Sequence, residues 1–336
     1  MRSGFFYPFD TPDSLPAYER QHDGLPKDVK NLDDVQADEH GCTIHLNSTY
    51  LDMIDRWHML RGGPDTTVMI IMLPVAMAIL AFTVYLCIQH LVTGVIQQGD
   101  ITVTIFGMSL SSVLLWVVFA LLKPFSIVKK EYSSYTHFPI RFNRKTRMVH
   151  VFRHNGPGGV LSIPWDEAWF HIGHGTHDKE ILDLRCLVMK GNTVTDTFAV
   201  GNIADNTEYI KQVWKFLVIY MEQGPRALPS DNYINTSTDS GWYNQFTDAY
   251  LICHMYFPIP PLSWVFIPLI TAARWLIMKT CKTPVWPQEI VAESAIDTND
   301  PYVWEELNVN ARDSFKRDPA RYEKMQARLK RLGKRK

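Results

Sequence analysis

The sequence predicts an α+β membrane protein with a two-helix transmembrane hairpin, a cytoplasmic β-rich domain closed by a helix, and a helical C-terminal region. Three observations support this fold class: a long stretch almost without formal charge, a series of short β-prone runs before one amphipathic helix, and a basic chain end. The 336 residues carry 34 Lys and Arg against 35 Asp and Glu, a net charge of −1. This balance argues against dedicated nucleic-acid binding by the whole chain.

The hairpin is predicted from residues 66–122. Asp100 is the only formally charged residue between Asp65 and Lys123. The uncharged runs 66–91 and 101–122 each reach the roughly 20 residues that a transmembrane helix needs. The alternative is a pair of soluble core helices, but helices of that kind normally keep one polar face.

Orientation is predicted from the positions of Lys and Arg. The link between the two uncharged runs contains neither residue type, whereas several follow the second run closely. Under the positive-inside rule the link is external and both termini are cytoplasmic. The predicted location is the bacterial inner (plasma) membrane, as a multi-pass protein.

Composition divides the chain into five predicted regions. They are an N-terminal cytoplasmic segment (1–65), the transmembrane hairpin (66–122), a cytoplasmic β-rich domain closed by a helix (123–224), a linker with an apolar, Pro-broken interfacial segment (225–283), and an acidic segment followed by a basic C-terminal helix (284–336).

The β-rich domain is predicted from short runs of β-prone residues separated by polar or Gly/Pro breaks. Gly191 and Asn192 suit a two-residue hairpin turn, since both tolerate positive φ. A helix is expected after Asp205, and Gly224 followed by Pro225 ends it. The six strands are expected at 138–142, 148–153, 160–163, 168–172, 181–189 and 193–200.

Strands followed by one amphipathic helix are the order of a pleckstrin-homology-like barrel, which has seven strands. The seventh is expected at 42–46, which would make the hairpin an insertion in this domain, and 48–60 is expected to be a helix approaching the membrane. An unrelated α+β domain stays open as the alternative.

The apolar stretch 249–278 has one formal charge, Arg274, and is long enough for a third span. Pro258, Pro260 and Pro261 break it near the middle. A third crossing would also export a basic tail, against the positive-inside rule. The prediction is a bent element that is interfacial or packed on a domain, and the third span remains the alternative.

The most metal-like cluster in the sequence is His171, His174 and His177. No fourth ligand is evident, so these residues are predicted not to form a metal site. Asp166 and Glu167 are adjacent, so in a strand they would point to opposite faces and could not act as a facing acid/base pair.

The glycine-rich run 155–159 (NGPGG) lacks the Lys-Ser/Thr of a phosphate-binding loop and is predicted to be a hairpin turn. Trp165 and Trp169 are expected to serve packing. No GxSxG or HExxH motif occurs. The sequence therefore predicts no catalytic, cofactor-binding or metal-binding residues, no cofactor, and a protein that is not an enzyme.

Several runs carry a resemblance to a known family: PIRFNRKTRMVHVFR, PWDEAWFHI and FAVGN, with YPFD near the N-terminus and RWLIMKTCKTPVWPQEI late in the chain. Together they resemble uncharacterised proteobacterial inner-membrane proteins found in type VI secretion effector and immunity contexts. The resemblance covers most of the chain and carries no catalytic signature. It implies, by association, an immunity or effector-accessory role.

The functional prediction is a membrane-anchored, non-enzymatic binding protein that serves as an immunity or accessory protein for a type VI secretion effector. A lipid-binding or scaffold protein of the inner-membrane surface is the first alternative, and a membrane enzyme is the more remote one. The predicted partners are a toxin or effector protein and membrane lipids, without nucleic acid. The oligomeric state is left open.

Overall fold

A computed structural model of the chain describes residues 13–14, 24–63, 131–132, 134–153, 156, 159–174, 182–191, 193–229, 238, 240–256 and 260–303, with scattered positions between 66 and 116. The chain divides into two units, each built from separate stretches. Unit 1 comprises residues 1–60, 135–244 and 282–336, and unit 2 comprises residues 61–134 and 245–281.

Unit 1 is built on two antiparallel sheets. One has the strand order β2-β3-β4-β5-β6, and the other has the order β1-β9-β8-β7. The strands are β1 (Asp13–Ser14), β2 (Thr43–Leu46), β3 (Tyr50–Met53), β4 (Ile140–Asn143), β5 (Met148–Phe152), β6 (Val160–Pro164), β7 (Trp169–His174), β8 (Leu182–Lys190) and β9 (Thr193–Ala204).

Residues 77–85 are helical, and five further α-helices are described over their full length. They are α1 (Trp57–Leu60), α2 (Thr207–Gln223), α3 (Trp242–Tyr256), α4 (Pro260–Thr280) and α5 (Gln288–Glu293). A short 3-10 helix, Val29–Leu32, lies in the N-terminal part of unit 1.

Two hairpins of unit 1 form where turn residues predicted them. Lys190 pairs with Thr193, so the loop has two residues, and Gly191 takes the positive φ of 63° that such a turn requires. Phe152 pairs with Val160, and Arg153 N donates to Gly159 O at 2.7 Å, which closes the glycine-rich turn.

Helix α2 begins and ends by local capping. The Asn206 side chain accepts from Tyr209 N at 2.8 Å, so the cap is one residue later than the predicted Asp205. Gly224 (φ 89°) ends the helix, as predicted, and its N–H donates to Ile219 O and Tyr220 O. The residues at the predicted helical spacing are all buried: Ile210, Val213, Trp214, Leu217 and Met221.

Aromatic rings form the centre of the unit 1 core. Trp165 and Trp214 are both fully buried, with ring centroids 5.6 Å apart. Phe170 lies 4.8 Å from Trp214 and 5.7 Å from Trp165. Because Trp165 comes from the turn after β6 and Trp214 from α2, this cluster packs the helix against both sheets.

The predicted approach helix at 48–60 is wrong over its first part. Residues Tyr50–Met53 form strand β3, which pairs with β4 in the register Leu51 to Phe142, and only Trp57–Leu60 is helical. Leu51 and Met53 are fully buried. Pairing with a strand about 90 residues later overrides the local preference.

The predicted fold class is also wrong. Two sheets of four and five strands precede α2, where one seven-stranded barrel was expected. Within the part of the chain that the structure describes, no helix combines the length and the apolar character needed to cross a membrane. This finding contradicts the transmembrane hairpin at 66–122 and the multi-pass inner-membrane location with cytoplasmic termini. Most of residues 66–122 lie outside the described residues.

The apolar stretch 249–278 is divided between two helices. Helix α3 ends at Tyr256 and α4 begins at Pro260, so the change of helix falls at the predicted proline-rich break. Pro258 lies outside the described residues. Pro268 lies inside α4.

Unit 2 contains buried charges at its centre. Arg274 is 0% exposed; its Nη2 donates to Asp248 Oδ2 at 2.6 Å and its Nη1 donates to the carbonyl of Arg61. Glu131 is also buried and accepts from Gly62 N at 3.1 Å. Burial raises the pKa of Asp248 and of Glu131 and lowers that of Arg274. The ion pair of Asp248 with Arg274 opposes two of these shifts, and hydrogen bonds from Gly62 and Thr66 oppose the shift of Glu131.

Candidate functional site

A polar groove of about 640 Å³ lies on unit 1, between the N-terminal stretch and the C-terminal end of α2. Three chain segments supply its fixed wall: the β4–β5 turn, the β6–β7 turn and the last turn of α2. We call it the charged groove, lined by Lys27, Asp28, Val29, Lys30, Asp33, Arg147, Asp166, Glu222 and Gln223.

Arg147 lies at the centre of the fixed wall in an unusual backbone conformation. Its φ is +53°, one of two positive values among the described non-glycine residues. The β4–β5 turn imposes this value: Asn143 Oδ1 accepts from Thr146 N at 3.0 Å, and Arg147 O accepts from Trp165 N at 2.8 Å. A side-chain-bearing residue in this region costs about 1 kcal/mol, and such residues often mark functional sites.

Two carboxylates fix the guanidinium of Arg147. Its Nη2 donates to Asp166 Oδ1 at 2.6 Å and to Glu222 Oε1 at 3.0 Å, while Nε donates to Asp166 Oδ2 at 3.1 Å. These bonds raise the pKa of Arg147 and lower that of Asp166. The side chain of Arg147 is still 39% exposed, so it is held in place and accessible at once.

Lys27 forms the opposite side of the groove near Trp165. Its ammonium donates to the carbonyls of Trp165 and Asp166 and lies 4.9 Å from the centre of the Trp165 ring. Burial lowers the pKa of Lys27, and the nearby acidic groups only partly oppose this shift. The ring of Trp165 also donates from Nε1 to Glu222 Oε1 at 2.7 Å. Trp165, a residue of the hydrophobic core, therefore orients Lys27 and Glu222 in the groove.

The groove mixes both signs of charge. Lys27, Lys30 and Arg147 face four carboxylates, those of Asp28, Asp33, Asp166 and Glu222. A nucleic-acid site would instead present a basic surface. Fixed charges of both signs suit a polar protein surface, where they determine partner choice and register.

The predicted histidine cluster does not converge on this groove. His171 stacks on Trp169 with ring centroids 4.9 Å apart. His174 ends the same strand, three positions later, and so belongs to its other face. His177 lies outside the described residues, and among those described no group of three His, Cys, Asp or Glu side chains is placed to hold a metal ion. The prediction that these histidines are not a metal site stays a prediction.

Of the other predicted residues, Asp166 is part of the groove and Glu167 is exposed in the same turn. Trp165 packs in the core, as expected, and Trp169 lies against Gly24. No motif or spacing in the sequence indicated Lys27, Arg147 or Glu222 as site residues. Arg147 is 19 residues from Asp166 and 75 from Glu222, so no local spacing could relate them.

The buried thiols offer little nucleophilic chemistry. Burial raises the pKa of the Cys42 thiol to about 12 and raises that of Cys186 as well. Thiolate is the reactive form, so both groups are almost entirely protonated at neutral pH. Neither lies in the charged groove.

Comparison with known proteins identifies the family. Residues 113–298, more than half of the chain, match the sequence profile of a family of unknown function, DUF6708. The chain belongs to this family. No curated protein and no solved structure matches it.

Proposed function

We propose that this member of the DUF6708 family is a non-enzymatic protein that binds a protein partner stoichiometrically through the charged groove. The observation that carries the proposal is the fixed position of Arg147. Its backbone is held at positive φ and its guanidinium is held by two carboxylates, yet the side chain remains accessible. A charge fixed in this way loses little conformational freedom on binding.

The partner that we propose is a secreted effector, for which this chain would be the immunity or accessory protein. The support is the resemblance to proteins found in type VI secretion contexts, together with the mixed charge of the groove. Immunity by binding needs a tight complementary surface, and that surface requires no catalytic motif.

A direct test of stoichiometric action titrates the full chain against the effector encoded beside its gene. We expect protection of cells to be complete only when the chain is at least equimolar with the effector. Full protection by substoichiometric amounts, or chemical alteration of the effector by the purified chain, would show catalysis and overturn the proposal.

The role of the groove is tested with Arg147→Gly. Glycine adopts the positive φ without strain, so this variant removes the side chain and keeps the turn. We expect at least about a tenfold loss of affinity, which corresponds to about 1.4 kcal/mol and exceeds the cost of truncating most interface residues. Lys190→Ala, which also removes one exposed positive charge from unit 1, is the matched control and should bind like the parent. Equal affinity of both variants would remove the groove from the proposal.

A further inference from the structure

A stretch of the chain itself occupies the groove between the edge of strand β7 and helix α2. We call residues 24–38 the resident segment. Gly24 forms an antiparallel bridge with His171, and Leu25 N donates to Phe170 O at 2.8 Å. The segment thus adds one rung to the edge of the sheet, in the manner of a peptide that binds by strand addition.

Two side chains of helix α2 hold the resident segment by donating hydrogen bonds to the backbone carbonyls of the segment. Trp214 Nε1 donates to Pro26 O at 2.8 Å. Lys215 Nζ donates to Leu32 O at 2.8 Å and to Val35 O at 2.7 Å. Main-chain carbonyls are common to every peptide, so these donors recognise the path of the segment and tolerate other sequences along it.

Side-chain selection comes from a few positions of the segment. At Gly24 an added Cβ would lie 3.0 Å from Trp169 Nε1, so a residue larger than glycine meets the indole. Leu25 and Val29 pack against the core, and Leu32 is buried within it. A segment that fits this groove therefore has glycine and leucine before Pro-Lys, followed by one helical turn with two apolar residues.

The buried donors determine how this groove can change occupant. Trp214 is fully buried, and its N–H has the Pro26 carbonyl as its acceptor. Withdrawal of the segment alone would break that hydrogen bond and expose the apolar surface beneath the segment to water, and both changes cost free energy. Replacement by another segment whose backbone carbonyls lie at the same positions would restore the hydrogen bond from Trp214.

We propose that this groove is a peptide-binding site, and that the partner binds by presenting an extended segment of the same chemistry, which replaces residues 24–38. The inference rests on the proposed function and names the surface used. The replacing segment would contact the fixed wall of the charged groove, Arg147, Asp166 and Glu222, at the position that Lys27–Asp33 hold in the free chain.

Exchange is tested with a labelled synthetic peptide of residues 24–38 added to the full chain. Leu25→Ser in the full chain weakens the resident segment, and we expect this variant to bind the peptide at least tenfold more tightly than the parent. A peptide with valine at the Gly24 position and a scrambled peptide should not bind. Equal binding of the peptide by parent and variant would overturn the proposal.

The groove itself is tested on helix α2. In the Leu25→Ser background, where the resident segment already competes weakly, Lys215→Met removes the ammonium that holds two carbonyls and keeps the aliphatic stem, so we expect it to reduce peptide binding. Lys211→Met, one turn earlier on α2, is the control and should not. If Leu25→Ser fails to fold, amide hydrogen exchange of the parent chain is measured instead. Excess peptide should alter the exchange rates of the Leu25 and Asp38 amides while the amides of β8 stay protected. Unchanged rates at Leu25 and Asp38 contradict the proposal.

Competition with the partner separates this inference from the proposed function. Partner that binds one-to-one and releases the labelled peptide supports both. Partner that binds one-to-one without releasing the peptide leaves the proposed function standing and refutes the site. Peptide that exchanges as expected, with no stoichiometric binding of the effector, supports the site and refutes the effector as partner.

Discussion

The two units differ in how they place their largest aromatic side chains and in how deeply each buries an ion-paired arginine. Unit 1 buries its aromatic side chains around Trp165 and carries the charged groove on its surface. Unit 2 has Phe106, Trp116 and Trp264 about 70% exposed, at 69%, 70% and 74%, whereas Arg274 is not exposed at all. An arginine in an ion pair therefore has a different energetic role at these two places: Arg147 in unit 1 is 39% exposed, and Arg274 in unit 2 is fully buried.

The largest effect that we expect is from Arg274→Met in unit 2. The substitution leaves the carboxylate of Asp248, which is 21% exposed, without its fully buried cation, so we expect a loss toward the lower end of the about 3–5 kcal/mol that breaking a buried ion pair costs. Urea unfolding of the full chain, followed by circular dichroism, measures the loss.

The double variant Arg274→Met with Asp248→Asn is the control for this pair. It removes both charges and should recover part of the lost stability, because no uncompensated charge remains. A loss below about 1 kcal/mol in the single variant would mean that the charges of unit 2 are not energetically buried, and the contrast between the units would fail.

Local sequence signals predicted much of unit 1. The Gly191 turn, the end of α2 at Gly224 and the strands around them depend on residues close in the chain, so their chemistry can be seen without the fold. Strand β3 was missed because its pairing partner lies about 90 residues away, and no short window contains both strands.

The charged groove could not be predicted for the same reason. Lys27 is 139 residues from Asp166, and Arg147 is 75 from Glu222, so only the folded chain brings them together. The uncharged run at 66–122 shows a different limit. Hydropathy measures only how apolar a stretch is and not what the stretch packs against. The membrane hairpin inferred from it is contradicted by the described residues.

The second largest effect concerns a buried titratable group of unit 1. His150 on β5 is 2% exposed; Nδ1 lies 2.8 Å from Ser162 Oγ and Nε2 lies 2.9 Å from Glu293 Oε1. Burial and then the charge of Arg141 lower its pKa to about 4, against a smaller opposing effect of Asp52.

The sign of the pH dependence follows from this lowered pKa. The unfolded chain, with a pKa near 6.5, binds a proton that the folded chain does not bind between pH 6.5 and 4. The contribution is complete above about pH 6.5 and is lost as the pH falls to about 4, by about 2–3 kcal/mol. In His150→Gln we expect the stability measured over this window to vary less with pH than in the parent. Parallel pH curves would contradict the assignment.

A smaller effect is expected from glycines with positive φ in unit 1. Gly201 has φ 72°, and an added Cβ would lie 2.9 Å from Cys42 Sγ. Gly191 has φ 63° with no atom within 4 Å of the added Cβ. Gly201→Ala should cost about 2 kcal/mol, from backbone strain and overpacking, and Gly191→Ala about 1 kcal/mol, from strain alone. Thermal unfolding of both variants measures the difference, and equal losses would show that the Cys42 contact is relieved by a small shift.

The smallest effect on stability is expected at Arg147, although we expect its effect on binding to be large. Exposed ion pairs contribute less than about 1 kcal/mol, because solvent screens them. Arg147→Gly loses these bonds and gives the unfolded chain more conformational freedom, but it relieves about 1 kcal/mol of backbone strain, so the net loss of stability should stay below about 1 kcal/mol. Arg147→Ala keeps the strain and should be about 1 kcal/mol less stable than the glycine variant. Urea unfolding of both variants measures this difference.

A loss above about 2 kcal/mol in Arg147→Gly would make the arginine a structural residue of the turn, and a loss of binding would then say nothing about a partner. Unchanged stability with weakened binding would instead assign Arg147 to partner binding. A strained residue whose removal leaves stability unchanged does not contribute to the stability of the fold.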